Sequence, residues 1–403
     1  MTTVESTGSG NWSGGGIWSG GVARAGNGHD VIIKDGDNVT ISQDEQANSI
    51  TIEDNATLTI SGTRTITIDG KDGSSYSFRA ISGSTISGTL NIKVTGNGGY
   101  ISEQGTGSIN NLEVDLGSSS DVHYLDADLS IGGNLTITEG IFNTNGSSNR
   151  ALTVAGKTIV GDGSSGANTA KLTCNASTIS LGASYTADYA LRVKRGGTFV
   201  GGSGQHTFGS FSNEDHADSI TTLTTHANGT TLSSEYSSAG PNGYALAVYD
   251  DSTFDDADGL VVYTGPSADS YLSGKTLHNV TINSSGNTIG MQNAHTFNGN
   301  LTITAGTLNT RPASTSENNA LTVTGHCHIL DDAILTCNAS DVTLGSLDLD
   351  AGGTVNAPSN SSTNGLIITS EYGGDAINGD GNWHHNNGKV TIKTPAETYL
   401  DIA

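Results

Sequence analysis

Apolar and polar residues alternate along most of the chain in short segments of strand character. The clearest are Ile50-Thr51-Ile52, Leu58-Thr59-Ile60 and Ile66-Thr67-Ile68, three apolar–Thr–apolar triplets that follow one another at a constant step. Alternation places the two apolar side chains of a triplet on one face and the threonine on the other, which is β-strand geometry. Since that step, about eight residues, suffices for a strand and a corner, three such sides would close a coil of roughly 24 residues.

Two arrangements of such strands are compatible with this pattern. An antiparallel meander would use two-residue turns of the Asn-Gly type at its hairpins, whereas the corners in this chain vary in sequence and length. Parallel winding is therefore favoured. We predict an all-β, right-handed parallel β-helix with internal duplication, in which Ile, Leu and Val lie inside and Thr, Asn and Ser form the outer walls.

A long internal duplication underlies this prediction. The segment Asn-Leu-Thr-Ile-Thr that begins at Asn134 returns at Asn300. The segment Leu-Thr-Cys-Asn-Ala-Ser that begins at Leu172 returns at Leu335, so its two copies are slightly closer together than those of the first segment. An offset that varies in this way indicates insertions at corners, which a solenoid tolerates as outward loops.

The duplication also predicts the organisation of the chain. We expect an N-terminal cap and first coils over residues 1–108, a first repeat over 109–276 and a shorter second repeat over 277–403. Because neighbouring coils share one core, the three regions are expected to form one continuous solenoid.

Composition agrees with an ordered chain that turns often. Among 403 residues only 33% are hydrophobic, but just 14% are charged, and there are 56 glycines against 5 prolines. The 40 acidic and 16 basic residues give a net charge of -24. Because such a charge repels phosphate backbones and anionic membranes, we expect no nucleic-acid partner and no membrane insertion.

The N-terminus and the hydropathy pattern bear on location. The opening Met-Thr-Thr-Val-Glu-Ser has no basic region followed by an apolar stretch, and no run of about eighteen apolar residues occurs. We therefore expect neither a secretory signal nor a transmembrane segment. A protein assembled inside a cell onto a particle that leaves by lysis would fit this pattern.

Aromatic residues near both ends are interpreted as caps. Trp12 and Trp18 lie in a glycine-rich segment before the first clear strand. Tyr399 and Leu400 form a tyrosine–apolar pair near the C-terminal end. Because an exposed end coil invites pairing by another chain, we expect the C-terminal end to contact a partner protein or copies of this chain, for example in a trimer.

Three cysteines occur, an odd count without the spacing of a disulfide framework. Cys174 and Cys337 hold matching places in the two repeats, two positions after an apolar leucine and therefore on its face. We predict that both are small buried hydrophobic residues.

The run of acidic residues before Gly259 is a candidate calcium site. Asp255, Asp256 and Asp258 supply the hard oxygen ligands that calcium prefers. Their spacing follows neither the EF-hand loop nor the Gly-Gly-x-Gly-x-Asp repeat of calcium-binding solenoids, so a plain turn is the alternative. No other cofactor is predicted.

A second group of candidate metal ligands consists of His326, Cys327 and His328, together with Asp331 and Asp332. Alternation puts both histidines on one face and the cysteine on the other, so the three cannot act together. A corner with a buried cysteine is the alternative to a metal site.

If the protein is an enzyme, polysaccharide cleavage is the expected activity, because many polysaccharide lyases and hydrolases have the β-helix fold. The basic cluster Arg192, Lys194 and Arg195 could line a groove for an acidic glycan, or it could be a solvated strand face. Alternation places Arg192 and Lys194 outward and Val193 inward. We identify no catalytic set of residues.

The segment from Trp383 to Ile392, Trp-His-His-Asn-Asn-Gly-Lys-Val-Thr-Ile, resembles the Phe-x-His-Asn-x-Gly-x-Val strand of phage virion-associated β-helix proteins. The opening coils, with Trp12, Trp18 and Asp30-Val31-Ile32-Ile33, resemble a Trp- and Gly-rich β-helix module of bacterial surface proteins. The resemblance implies a structural, adhesive or glycan-facing role and supplies no catalytic residues.

Taken with the repeats, the resemblance leads us to expect a non-enzymatic structural or appendage protein at the surface of a phage virion. It would serve as a fibre, spike or capsid decoration that acts as a rigid spacer or attachment element, and its partners would be other virion proteins or copies of itself. A secreted or surface adhesin that binds glycans and a tailspike-type polysaccharide depolymerase are the alternatives.

Overall fold

The computed structural model describes residues 2–14, 16–21, 25–26, 28–164, 169–236, 243–313, 315–394 and 399–402. Over these residues the chain is all-β apart from a 3-10 turn at Ser19–Gly21. Its parallel strands stack in about 16 turns, so the protein is a β-solenoid and the predicted fold class is confirmed.

The strands in the first half of the chain are Thr2–Glu5, Gly10–Asn11, His29–Ile33, Asn38–Ile41, Glu45–Ala47, Ser49–Ile52, Thr57–Ile68, Tyr76–Ala80, Thr85–Val94, Gly99–Glu103, Ile109–Asp115, Val122–Leu125, Leu129–Ile131, Leu135–Asn143, Leu152–Val154, Thr158–Val160, Ala170–Thr173, Ile179–Leu181, Leu191–Val193 and Gly197–Gly202. The strands in the second half are His206–Phe208, Phe211–Asn213, Ile220–Thr224, Thr230–Leu232, Tyr244–Val248, Thr253–Asp255, Leu260–Tyr263, Ala268–Leu272, Thr276–Leu277, Asn279–Met291, His295–Phe297, Leu301–Asn309, Leu321–Ile329, Ala333–Thr336, Val342–Leu349, Thr354–Asn356, Leu366–Ile368, Asp375–Gly379, Asn382–His384, Val390–Ile392 and Tyr399–Ile402.

The chain packs as two compact units. The first comprises Met1–Gly182, Arg192–Gly204 and Asp218–Ile220, and the second comprises Ala183–Leu191, Gln205–Ala217 and Thr221–Ala403. Strand stacking is parallel within each of them, and each contains buried apolar side chains.

The three apolar–Thr–apolar triplets form three sides of one coil. The first lies in Ser49–Ile52, and the other two lie in Thr57–Ile68, a single strand that bends at Gly62 with a φ of 79°. The six apolar side chains of the triplets are all buried. The strand-and-corner interpretation of the step between triplets is therefore confirmed.

Equivalent apolar side chains form a continuous internal column in the first unit. Val31 pairs with Ile50, Ile50 with Phe78, Phe78 with Ile101 and Ile101 with Leu125. All five side chains have 0% exposure. Since burying a large apolar side chain stabilises a fold by roughly 1.5–3 kcal/mol, such columns supply most of the stability of a solenoid.

The coils are unequal in length. The coil from Val31 to Ile50 is the shortest in this column, the coil from Ile50 to Phe78 is the longest, and the coil from Ile101 to Leu125 lies between them. The predicted length of roughly 24 residues thus describes an average coil. The differences fall at the corners, where added residues do not disturb the strand ladder.

The internal duplication is visible in hydrogen bonding. Asn175 has a φ of 52° and donates from Nδ2 to Asn143 Oδ1 over 2.7 Å. Its counterpart Asn338 has a φ of 51° and donates from Nδ2 to Asn309 Oδ1 over 2.6 Å. Asparagine adopts the left-handed conformation more readily than most residues, and its amide can also bridge to the preceding coil.

The cysteines behave as the sequence predicts. Cys174, Cys327 and Cys337 have 0% exposure and are all free thiols. Burial raises the pKa of each thiol, in the case of Cys327 to about 12. Because a buried neutral thiol is a poor nucleophile and a poor metal ligand, these side chains contribute to packing.

The residues interpreted as caps have different surroundings. Trp12 and Trp18 are buried against each other in a T-shaped pair with ring centroids 5.1 Å apart. Trp12 Nε1 donates to the Ala25 carbonyl over 3.0 Å. The backbones of Tyr399 and Leu400 belong to the last strand, and their side chains lie outside the described residues.

The segment that resembles a virion-associated strand is two strands in this structure. Asn382–His384 and Val390–Ile392 are separated by a corner at which Asn386 and Asn387 have φ values of 50° and 58°. Two consecutive positive φ values turn the chain sharply, so the segment contributes two sides of a coil.

Candidate functional site

Three tyrosines form a row on the outer surface of the first unit. Tyr100 pairs in register with Tyr76 in one neighbouring coil and with Tyr124 in the other. The ring centroids are 5.7 Å apart at both steps, with the planes inclined by 49° and 35°. All three side chains are partly exposed, so this tyrosine ladder presents aromatic edges and hydroxyl groups to solvent.

The residues beside the ladder tyrosines point inward and fix the spacing of the coils. Ser77 and His123 have 0% exposure, and Ser77 Oγ lies 2.8 Å from His123 Nε2. Ser77 donates to the Gly70 carbonyl over 2.7 Å, so the His123 Nε2–H donates to the serine oxygen. A Cβ at Gly99, between these two residues, would lie 2.1 Å from Ser77 Oγ. Glycine is therefore required there.

Burial sets the charge of this inner layer. It lowers the pKa of His123 to about 4, with a smaller contribution from the nearby Lys71 ammonium. At neutral pH the ring is uncharged. The tyrosine ladder therefore lies over a layer of uncharged, hydrogen-bonded side chains.

Polar groups surround the exposed edges of the ladder. Tyr76 Oη donates a 2.6 Å hydrogen bond to Asp126 Oδ2, and Ser147 Oγ donates to Asp126 Oδ1 over 3.1 Å. The Arg79 guanidinium lies 4.7 Å from the centroid of the Tyr76 ring. The hydrogen bond to Asp126 is the main cause of a raised Tyr76 pKa. One face thus combines aromatic rings, a carboxylate, a guanidinium and hydroxyls.

The sequence contains a signal for the ladder that the strand pattern does not show. Tyr76, Tyr100 and Tyr124 follow one another at one constant interval, which equals the predicted length of a coil. Residues one coil apart on an outward face are neighbours in a parallel solenoid. A search for identical residues at the coil period would have marked these tyrosines as candidate neighbours, and the register between coils of unequal length decides that they meet.

A second cluster lies on the outer wall of the second repeat. His326 and His328 are partly exposed on one face of their strand and Cys327 is buried on the other, as alternation predicts. Asp348 pairs with His328 in the next coil. One nitrogen of each histidine and one Asp348 oxygen lie within 4.8 Å of one another. His328 Nε2 also lies 3.0 Å from Asp350 Oδ1.

Side chains around His326 hold its ring in place. The His326 backbone N–H donates to Asn300 Oδ1 over 2.9 Å, and its Nδ1 lies 2.9 Å from Ser346 Oγ. The ring stacks on Tyr372, with centroids 4.2 Å apart and planes inclined by 23°. Burial lowers the pKa of His326.

The aspartates that follow these histidines in the sequence do not join them. Asp331 and Asp332 are exposed at the next corner, where Asp332 has a φ of 61°. The carboxylates near His328 come instead from Asp348 and Asp350, one coil later. Local proximity in sequence is a poor guide here, because the corner turns the chain away from the strand face.

The candidate calcium ligands have separate roles. Asp256 accepts a hydrogen bond from the His278 backbone N–H, and burial raises the pKa of Asp256. Asp255 accepts from the Ala257 N–H over 2.8 Å, and Asp258 Oδ1 lies 3.7 Å from His278 Nδ1. Within the described part of the chain these three carboxylates are not found as a converging group of ligands.

A different acidic group does converge. Carboxylate oxygens of Asp215, Asp250 and Asp251, all exposed, lie within 4.8 Å of one another. The Asp251 backbone N–H donates to Asp215 Oδ1 over 3.1 Å. Part of the group therefore takes part in a hydrogen bond between adjacent coils.

The basic cluster has the predicted orientation. Arg192 and Lys194 are partly exposed, whereas Val193 between them has 0% exposure. Arg195 Nε lies 3.7 Å from Asp218 Oδ2. A partly exposed ion pair of this length contributes little to stability.

Comparisons with protein-family models, with curated protein sequences and with solved structures give no match for this chain. Among the described residues there is no helix with the length and apolarity needed to cross a bilayer. The tyrosine ladder and the cluster around His326 and His328 are the two candidate sites of the described residues.

Proposed function

We propose that this protein is a structural and attachment protein of a phage particle or a comparable surface appendage, and that the tyrosine ladder is its adhesive face. The solenoid supports the structural part of this proposal. Stacked coils satisfy the backbone hydrogen bonds of their neighbours, which gives a scaffold that presents side chains at fixed intervals.

The ladder is the observation that carries the attachment role. Tyrosine rings expose apolar surface together with a hydroxyl group, which suits contact with the C–H groups and hydroxyls of a sugar. The Asp126 carboxylate and the Arg79 guanidinium beside Tyr76 add an acceptor and a donor within the same surface. A glycan chain is therefore the partner whose chemistry this face fits best.

Charge favours a neutral glycan over an acidic one. The chain has a net charge of -24, and a carboxylate lies at the centre of the polar groups around the ladder. Both repel uronic acids and sulfated sugars, and the repulsion is greatest at low ionic strength. We expect binding to neutral polysaccharides to change little with salt.

Affinity electrophoresis through gels that contain individual neutral polysaccharides tests this role. Wild type should be retarded by at least one of them, and Tyr100→Ala, which interrupts the ladder at its centre, should bind about tenfold more weakly, since an aromatic contact contributes roughly 1–1.5 kcal/mol. Tyr271→Ala is the matched control, because Tyr249 and Tyr271 form a comparable pair with centroids 5.1 Å apart in the second unit.

Two results would contradict the adhesive role. One is the absence of retardation of wild type by every neutral polysaccharide in the panel. The other is equal retardation of wild type and Tyr100→Ala, with far-ultraviolet circular dichroism showing that the variant is folded. A fall in the viscosity of the polysaccharide on incubation with wild type would favour the depolymerase alternative instead.

The phage-particle setting is supported by the resemblance of the segment from Trp383 to Ile392. Mass spectrometry of density-purified particles from a producing culture tests it. The protein should be present at a fixed ratio to the major capsid protein. Its recovery only with cell envelopes would favour a cellular adhesin.

A further inference from the structure

We propose that His326, His328 and Asp348 form a binding site for a first-row transition-metal ion of the zinc class on the outer wall of the second repeat. The three side chains come from two adjacent parallel strands, Leu321–Ile329 and Val342–Leu349. This inference is independent of glycan binding, because the tyrosine ladder lies in the other unit.

Strand register brings the ligands together. His326 and His328 are two positions apart and so share a face, and Asp348 pairs directly with His328. Ligand atoms of the three residues lie within 4.8 Å of one another. In a tetrahedral zinc site, neighbouring ligand atoms are roughly 3.4 Å apart, since zinc–nitrogen and zinc–oxygen bonds are about 2.0–2.2 Å long. Metal binding at this site therefore requires side-chain rotations that bring the three ligand atoms closer together.

The surrounding hydrogen bonds orient the imidazoles for a metal. When the Nδ1–H of His326 is donated to Ser346 Oγ, 2.9 Å away, the lone pair of Nε2 is free to bind. Histidines that bind metals commonly donate their other ring N–H in this way. Ser346 is 3% exposed and belongs to the strand that also carries Asp348, so it is a well-fixed positioning residue.

The side of the site near His328 is rich in negative charge. His328 Nε2 lies 3.0 Å from Asp350 Oδ1 and 3.9 Å from Asp348 Oδ2. A cation bound to His328 Nε2 would therefore also be attracted by these two carboxylates. Asp350 is therefore placed to supply a fourth ligand or to accept a hydrogen bond from a metal-bound water.

The donor set selects the class of metal. Two imidazoles with one or two carboxylates suit Zn²⁺ and neighbouring ions such as Ni²⁺ and Cu²⁺, whereas Ca²⁺ and Mg²⁺ prefer oxygen ligands alone. The half-exposed position leaves room for water or for a ligand from a partner. The site is thus chemically distinct from the acidic group at Asp215, Asp250 and Asp251.

The first repeat provides an internal reference. The Lys157 backbone N–H donates to Asn134 Oδ1 over 3.0 Å, just as His326 donates to Asn300. Lys157 is therefore the counterpart of His326, and Ile159 falls at the position of His328. The first repeat keeps this corner without histidines, so the fold does not require them there.

This reference supplies a conservative test variant. In the double variant His326→Lys/His328→Ile, the second repeat carries the residues of the first at these two positions and should keep its fold. Equilibrium dialysis of the full chain against Zn²⁺ should give one tightly bound ion for wild type and none for the double variant. Asp348→Asn should bind at least tenfold more weakly. Ser346→Ala should lower the zinc affinity roughly 10–100-fold, as expected when the hydrogen-bond partner of a ligating histidine is removed.

Two controls separate this site from other side chains that attract cations. Asp250→Asn/Asp251→Asn, which neutralises most of the exposed acidic group, should leave the tight zinc ion in place. His278→Ala, which removes another histidine close to a carboxylate, should do the same. With Cu²⁺ as the probe, electron paramagnetic resonance should show coupling to two nitrogens in wild type and to none in His326→Lys/His328→Ile.

Either of two outcomes overturns the proposal. The first is a wild-type chain that binds no zinc in the presence of a weak competing chelator. The second is undiminished zinc binding by His326→Lys/His328→Ile. Thermal unfolding in EDTA checks that wild type and variant are equally folded, and added Zn²⁺ should raise the melting temperature of wild type alone.

Discussion

The hydroxyl of Tyr76 donates a 2.6 Å hydrogen bond to the carboxylate of Asp126, 50 positions further along the chain. The bond spans the intervening coil that carries Tyr100 and so joins the first and third rungs of the tyrosine ladder. Hydrogen bonds to a carboxylate are stronger than those between neutral groups. The Tyr76–Asp126 bond therefore holds three successive coils of the adhesive face in register.

The first prediction concerns the acidity of this tyrosine. In Asp126→Asn the pKa of Tyr76 should fall towards the ordinary tyrosine value, because the hydrogen bond to a charged acceptor is its largest cause of elevation. In wild type the raised pKa means that the bond stabilises the fold below the unfolded-state pKa near 10, and that this stability is lost as the pH rises through the folded-state value. Ultraviolet titration of the phenolate band measures the shift.

Asp121→Asn is the control for this titration, because it removes one negative charge from the same region without touching the bond. Its phenolate titration should match that of wild type. Equal curves for Asp126→Asn and wild type would show that the bond is not formed in solution.

The second prediction concerns the duplicated corners. Asn175→Ala and Asn338→Ala should each destabilise the protein by about 1–3 kcal/mol, because alanine is strained at a positive φ and leaves the amide hydrogen bond unmade. Asn175→Gly should cost less, about 0.5–1.5 kcal/mol, because glycine tolerates the backbone conformation. Urea unfolding measures all three. A large cost at one corner and none at the other would contradict their equivalence.

The third prediction concerns a buried carboxyl group. Burial raises the pKa of Glu103 to about 7, and its Oε1 has no hydrogen-bond partner among the described residues. The folded state therefore keeps a proton that the unfolded chain releases above the ordinary glutamate pKa of 4.5. Stability is full below that value and falls as the pH rises to about 7.

Glu103→Gln should remove this loss. The free energy of unfolding of the variant should match that of wild type at about pH 4 and exceed it by about 1–2 kcal/mol at about pH 8. This difference is smaller than the full pKa shift implies, because solvent reaches the partly exposed side chain. Urea unfolding at both pH values tests this, with the exposed Glu317→Gln as the control that should show no pH-dependent difference. A pH-independent effect of Glu103→Gln would refute the assignment.

Sequence and structure agree best where a feature depends on side-chain alternation. The burial of Cys327 between two outward histidines, and of Val193 between Arg192 and Lys194, follows from the two-residue period of a strand. That period is a local property of the backbone, so it can be predicted without knowledge of neighbouring coils.

Agreement is weaker where a feature depends on the corners. The sequence suggests Asp331 and Asp332 as the acidic neighbours of His328, whereas Asp348 and Asp350 lie beside it. Corner length decides which residue of the next coil faces a given position. That length changes from one coil to the next, as the short coil from Val31 to Ile50 and the long coil that follows it show.

By itself, the sequence determined the strands, their parallel winding, the inward face and the duplication, because hydrophobic periodicity and internal repeats record them directly. Only the tertiary structure decided that Tyr76, Tyr100 and Tyr124 form one ladder and that Asp348 meets His328. Both depend on the register between coils. That register is set by the packing of buried side chains and by corners of unequal length, which no local pattern encodes.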